Sequence, residues 1–218
     1  MIHFYFDFIS PYGYMAAMKI DELAAKHGRR VEWHPMLLGI SVMKVMGLKP
    51  LPDTPLKGDY VFKDVPRLAA LYDIPLVVPA SGLPKPVPPA RAFCWVKAQA
   101  PELAANYARA VYSAEFRDGK DIARPELLAE LAQDMGLDGA ALMQALDGDE
   151  LRQQLKIEVE SSLALGVFGA PTFVVDDEMI WGCDRLWMLE HWLVHGSWAS
   201  PGEKNLQKLE RDYPLTPA

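Results

Sequence analysis

DFISPYGY, residues 7–14, follows directly on the run MIHFYF, and the junction between the two decides the fold. The aromatic and β-branched run before Asp7 predicts a buried strand over 2–8. Ser10-Pro11 then marks a helix start, because Ser is a favoured N-cap and Pro is tolerated at the first helical position. Tyr14, Met18, Leu23 and Ala24 keep helical spacing across 11–27, and Gly28 supplies the stop. VEWHPMLL, 31–38, predicts a second strand. A helix between two strands predicts that they pair in parallel.

Working outward, the pattern turns irregular from about residue 40, with Pro50, Pro52 and Pro55 punctuating a loop. A helix is predicted over 59–74 with a break near Pro66. The stretch 75–90 holds six of the eighteen prolines, too many for regular helix. Helical patterns follow over 90–116 with a break near Pro101, over 124–136, and over 138–165 with a break near Gly148. The period then changes: 171–181 predicts two short strands around an Asp176-Asp177 turn, and 184–196 a closing helix. The order is β-α-β, a helical block, then β-β-α. That is an α/β, thioredoxin-like fold interrupted by an all-helical insertion. Its sheet would be shared by 1–58 and 166–196, a domain discontinuous in sequence, with 59–165 as the insertion and 197–218 as a polar tail.

The bulk properties narrow the function. The net charge is −7 with no Lys/Arg run, which argues against nucleic-acid binding. No apolar stretch is long enough to span a membrane. The chain starts in a strand-like run rather than a leader pattern, and Cys94 and Cys183 form neither a CxxC nor a disulfide framework. A reducing cytoplasm is the expected location.

In a thioredoxin-like fold the strand–turn–helix junction is where a reactive Cys-Pro-x-Cys sits. Here the letters are Ser10-Pro11-Tyr12-Gly13, with neither sulfur. Ser10 can be a plain helix cap. It can also donate a hydrogen bond to an anion, such as a thiolate that arrives with a cofactor. GVFGAPTF, 166–173, can be a helix-to-strand turn. In this fold, however, the Pro171 position precedes the third strand and is expected to be cis, leaving the main chain of Ala170 to pair with a peptide. Glutathione is such a peptide, and its cysteine would point at Ser10. In WGCDRLWMLE, 181–190, Asp184 can cap the last helix and Arg185 can lie on its surface. Alternatively, Asp184 and Arg185 can hold the charged γ-glutamyl end of glutathione. Lys44, Lys49 and Lys57 are solvated charges or partners for an anionic ligand. His191 and His195 have i, i+4 spacing but lack the Glu of a zinc-binding HExxH.

Taken together, FYFDFISPYGY, GVFGAPTF and WGCDRLWMLE, with Lys57 and Tyr60 as KxxY, resemble the 2-hydroxychromene-2-carboxylate isomerases. These lie with the kappa-class glutathione transferases in the DsbA-like branch of the thioredoxin superfamily. The resemblance implies a glutathione-dependent isomerase of small aromatic 2-oxo acids, usually a homodimer. It implies Ser10 as the catalytic residue, and Ala170, Pro171, Trp181, Gly182, Cys183, Asp184 and Arg185 with Ser10 around glutathione. It implies Lys44, Lys57 and Tyr12 as substrate contacts. A kappa-like transferase or peroxidase is the alternative. Two departures bear on substrate contacts: Leu48 stands where many relatives have Asn, and Pro88-Pro89 where an Asn precedes Arg91.

Overall fold

A computed structural model describes residues 1–77 and 85–198. Parts of two expectations, the 75–90 segment and the 197–218 tail, therefore lie outside the described residues. The sheet has four strands in the order β2-β1-β3-β4, with β1 Ile2–Phe6, β2 Val31–Pro35, β3 Thr172–Val175 and β4 Glu178–Trp181. The first two strands are parallel, from Ile2 opposite Val31 to Phe6 opposite Pro35. The β3 strand runs antiparallel to β1 and forms a hairpin with β4. Asp176 and Asp177 make the hairpin turn with φ of 49° and 68°, the left-handed pair that matches the twist of the strands.

The central strand is apolar because both of its faces are covered. On one face Phe4 stacks on Phe173 at 5.4 Å and meets the edge of Trp33 at 4.7 Å. Phe6 meets Phe93 of α4 (Val87–Gln99), and Phe8 meets Tyr112 of α5 (Ala104–Phe116), each at 5.0 Å. Burying each such ring contributes roughly 1.5–3 kcal/mol. The other face carries a polar chain. His3 meets His34, His34 meets Glu158 of α8 (Asp149–Ala164), and Lys97 bridges Glu158 and Glu32.

Several boundaries differ from expectation for local physical reasons. The 11–27 stretch is two helices, α1 Pro11–Ala17 and α2 Ile20–Lys26. Gly13 to Ala17 are all buried, whereas α2 buries only Ile20 and Ala24, so the chain bends where its surroundings change. Pro66 does not break α3, which is continuous over Lys57–Leu71. Pro66 and Phe62 are exposed, so water can satisfy the carbonyl that Pro66 leaves without a donor. Asp73, at φ 53°, ends that helix, and the Ile74 N–H returns to the Ala69 carbonyl. Pro88 and Pro89 belong to the first turn of α4, where a missing N–H costs nothing.

Both first strands stop short of 8 and 38; just beyond them the Ile9 and Leu38 N–H groups turn to the Asp7 side chain. The region expected to be loop holds a π-helical turn, Gly39–Val45, and a 3-10 turn, Leu51–Asp53. The breaks at Pro101 and Gly148 fall as predicted, between α4 and α5 and between α7 (Gly139–Ala145) and α8. The 124–136 pattern is α6, Pro125–Gln133. The closing helix α9 is Leu186–His195, and Asp184 lies before it in a 3-10 turn rather than capping it.

Candidate active site

Ser10 is the N-cap of α1 and only 4 % exposed. Its Oγ accepts the Gly13 N–H at 3.0 Å and donates to the Ala170 carbonyl at 3.2 Å. The Ala170–Pro171 bond is cis, as the thioredoxin-like fold implies. Two segments 160 positions apart thus meet at a single hydroxyl. Two main-chain donors of the same segments, the N–H groups of Tyr12 and Ala170, have no hydrogen-bond partner among the described residues.

Gly13 holds the position of the second sulfur of a Cys-Pro-x-Cys. A Cβ there would lie 2.6 Å from the Tyr112 hydroxyl oxygen, which donates to the Asp7 carbonyl at 2.8 Å. A cysteine could not enter without displacing that buried tyrosine. The same closeness recurs opposite: a Cβ on Gly169 would meet the Trp181 indole nitrogen at 2.6 Å.

The 181–185 loop is tied to the cis-proline segment by the Gly182 N–H, which donates to the Pro171 carbonyl at 2.9 Å. Gly182 has φ 106°, where only glycine is comfortable. Trp181 lies edge-on to Phe168 at 5.0 Å, and the Arg185 guanidinium stands over its ring. Asp184 is exposed, Arg185 is half-buried, and the two pair at 3.3 Å. Cys183 is buried, its carbonyl accepts the Tyr72 hydroxyl, and burial pushes its thiol up to about 12. It is a packing residue of the loop. Cys94 is likewise pushed up to about 12 by burial.

The predicted substrate contacts are more dispersed. Tyr12 follows Ser10-Pro11, and its hydroxyl donates to Asp64 of α3 at 2.9 Å; Tyr60 holds the other oxygen of that carboxylate at 3.0 Å. Burial and Asp64 both raise the Tyr12 phenol, so it stays neutral. Lys44 ends the π-helical turn and Lys57 opens α3; both are exposed and neither pairs with a carboxylate among the described residues. The structure brings together Ser10, Ala170, Pro171 and the 181–185 loop, and gives no direct contact between these and either lysine. Sequence reasoning missed Asp7, Asp64, Tyr72 and Tyr112. Asp7 left a readable signal, an acid ending an apolar strand; the others act only through the packing of helices.

The model of the DsbA-like thioredoxin domain matches residues 1–194. A 2-hydroxychromene-2-carboxylate isomerase of Pseudomonas putida is 31% identical over 87% of this chain and 92% of its own. The chain belongs to the 2-hydroxychromene-2-carboxylate isomerase family. The solved structure of another family member superposes with a TM-score of 0.75, at 28% identity and 99% coverage of both chains. The rat glutathione S-transferase kappa 1 is 24% identical over 92% of this chain and 93% of its own. The isomerase family therefore shares this DsbA-like scaffold with kappa-class enzymes, and the Ser10 junction is the part of it that lacks both sulfurs.

Proposed function

We propose that this protein is a glutathione-dependent isomerase that interconverts 2-hydroxychromene-2-carboxylate and trans-o-hydroxybenzylidenepyruvate, or a closely related aromatic 2-oxo acid. The observation that carries this reading is the Ser10 hydroxyl, buried and bonded to the Ala170 carbonyl. The residues fit glutathione. A peptide strand laid against Ala170 would meet a main-chain N–H with no partner among the described residues, and Ser10 would hold the cysteine sulfur. When bound, glutathione supplies a thiolate that adds reversibly to the conjugated system and permits rotation about the former double bond.

Everything else is the work of this chain. The Ser10 hydroxyl has one proton. Turning it from the Ala170 carbonyl to the thiolate stabilises the anion and frees that carbonyl for a peptide N–H. One unit of thiol pKa depression corresponds to about 1.4 kcal/mol, within reach of one hydrogen bond to a charged group. Asp184 and Arg185 take the γ-glutamyl ammonium and carboxylate by exchanging their mutual ion pair for the ligand's charges. Lys44 and Lys57 meet the substrate carboxylate. The two buried thiols stay protonated, so no disulfide chemistry competes.

The test is to mix the purified protein, glutathione and 2-hydroxychromene-2-carboxylate and follow the ultraviolet spectrum. Glutathione-dependent conversion, lost in Ser10→Ala, is expected; conversion without glutathione, or an unchanged Ser10→Ala, overturns the reading. Coverage of 93% of the rat kappa-class enzyme favours one second reading, a transferase. Turnover of a chlorodinitrobenzene-type electrophile without isomerase activity would establish it. The protein is further read as a cytoplasmic homodimer; among the described residues no helix is long and apolar enough to cross a membrane.

A further inference from the structure

Asp7 ends the apolar strand β1, and its carboxylate is 1 % exposed with no cation beside it. Both of its oxygens are used. Oδ1 accepts the Ile9 N–H at 3.2 Å and Oδ2 accepts the Leu38 N–H at 2.7 Å. Its main-chain carbonyl accepts twice more, from the Ser10 N–H at 3.0 Å and the Tyr112 hydroxyl at 2.8 Å. Ile9 and Ser10 form the turn into α1. Leu38 opens the 38–45 segment that ends at Lys44 and Val45. One residue therefore holds both the serine turn and the lysine-bearing segment.

An Asn or Ser could shape such a turn without burying a charge. Burial pushes the Asp7 carboxyl from 3.8 up to about 7, against the pull of the Leu38 and Ile9 N–H groups. The ionised form presents two equal, charged acceptor oxygens to the two N–H donors. Protonation turns one of them into a hydroxyl, a poorer acceptor, and an amide replaces one with a donor. The titratable groups on the surrounding elements are engaged elsewhere. Tyr112 of α5 donates to the Asp7 carbonyl, Tyr12 and Tyr14 of α1 to Asp64 and to the Pro75 carbonyl, and His34 of β2 meets Glu158. Lys44 is exposed.

We propose that Asp7 is a positioning residue of this site: its ionised carboxylate clamps the Ser10 turn to the 38–45 segment, and so sets the hydroxyl beside the thiol against the wall that meets the substrate. The catalytic half of this statement rests on the glutathione-isomerase reading; the clamp itself does not. The clamp tightens as pH rises through about 7 and is weaker at one of its two N–H bonds below it. Stability runs the other way. Folding raises this carboxyl from 3.8 to about 7, so the stabilisation it gives is complete below the lower value and lost as pH rises through the upper. The charge serves position at the expense of stability.

The test is an NMR titration of the ligand-free full chain from about pH 5 to about pH 9, with kinetics and melting temperatures over the same range, for wild type and Asp7→Asn. In wild type the Ile9 and Leu38 amide protons should shift together, with one midpoint near 7, and the variant should lack that step. The variant's kcat should fall about tenfold or more, with KM for glutathione changed less than about threefold. Its pH profile should keep the ionisation of the bound thiol, read by ultraviolet absorbance, and lose the second one. The wild-type melting temperature should fall more steeply with rising pH than the variant's. Amides that do not titrate together in wild type overturn the clamp, even if the variant fails to fold. A variant with the wild-type pH profile overturns the positioning role. Amides that co-titrate in a wild type without isomerase turnover support the clamp and sink the isomerase reading alone.

Discussion

The junction of Ser10 with Ala170 and the stretch from Gly39 to Phe62 are built in opposite ways. The first is enclosed. Ser10, Ala170 and Cys183 are buried, the Ser10 hydroxyl is bonded on both sides, and two glycines sit where a single carbon would collide. The second is open. Met43, Val45, Leu48, Leu56 and Phe62 are exposed, the backbone passes through π-helical and 3-10 turns, and Leu56 has φ 68° with 89 % exposure. The difference separates two tasks. An anion is stabilised best where the surrounding backbone is already fixed, so that at most a hydroxyl proton has to turn when charge appears. Substrate shape is tuned on loops that can change without unfolding a core.

Substitutions can break or sharpen that contrast. The largest effect is expected for Ser10→Ala: turnover of the chromene substrate falls about 100-fold, as for loss of one anion-stabilising donor. Stability falls only by the lost helix cap, about 1 kcal/mol, measured by thermal unfolding. Full activity in that variant would remove the buried side from the chemistry. Gly13→Ala is expected to cost about 1–3 kcal/mol of stability, because its methyl meets the Tyr112 hydroxyl. Adding Tyr112→Phe should recover part of that loss; an additive double variant would show that the collision is relieved elsewhere.

On the open side, Lys44→Ala and Lys57→Ala should each raise KM for the carboxylate substrate up to about tenfold at nearly constant kcat. Unfolding midpoints should stay within about 0.5 kcal/mol of wild type. An unchanged KM in both would mean that the carboxylate is held elsewhere. The smallest effect is expected for Leu56→Gly, which relieves a left-handed φ and should raise stability by about 0.5–1 kcal/mol in chemical denaturation. A destabilised variant would mean that the exposed leucine is covered by something in solution.

The strands, the hairpin and the breaks at Pro101 and Gly148 were legible because apolar period, proline and paired aspartates act locally, and the cis-proline segment only through the fold they imply. The bend after Ala17 and the continuity of α3 through Pro66 were not. Each depends on which residues are enclosed and which face water, and that is settled by neighbours distant in the chain. The same division holds at the site. Ser10 announces itself as a cap beside a proline. Tyr112, 105 positions from the Asp7 carbonyl it bonds, leaves no trace in any local pattern.

The sequence by itself determined the order of the elements, the absence of a sulfur at positions 10 and 13, and the glycines that close turns. These follow from steric and conformational preferences carried by single residues. Only the tertiary structure decided that the Ser10 hydroxyl faces Ala170, that Gly13 must remain without a Cβ, and that the Asp7 charge is buried between two backbone donors. Those facts depend on distances across the fold, and a hydrogen bond or a collision exists only once both partners have been brought into place.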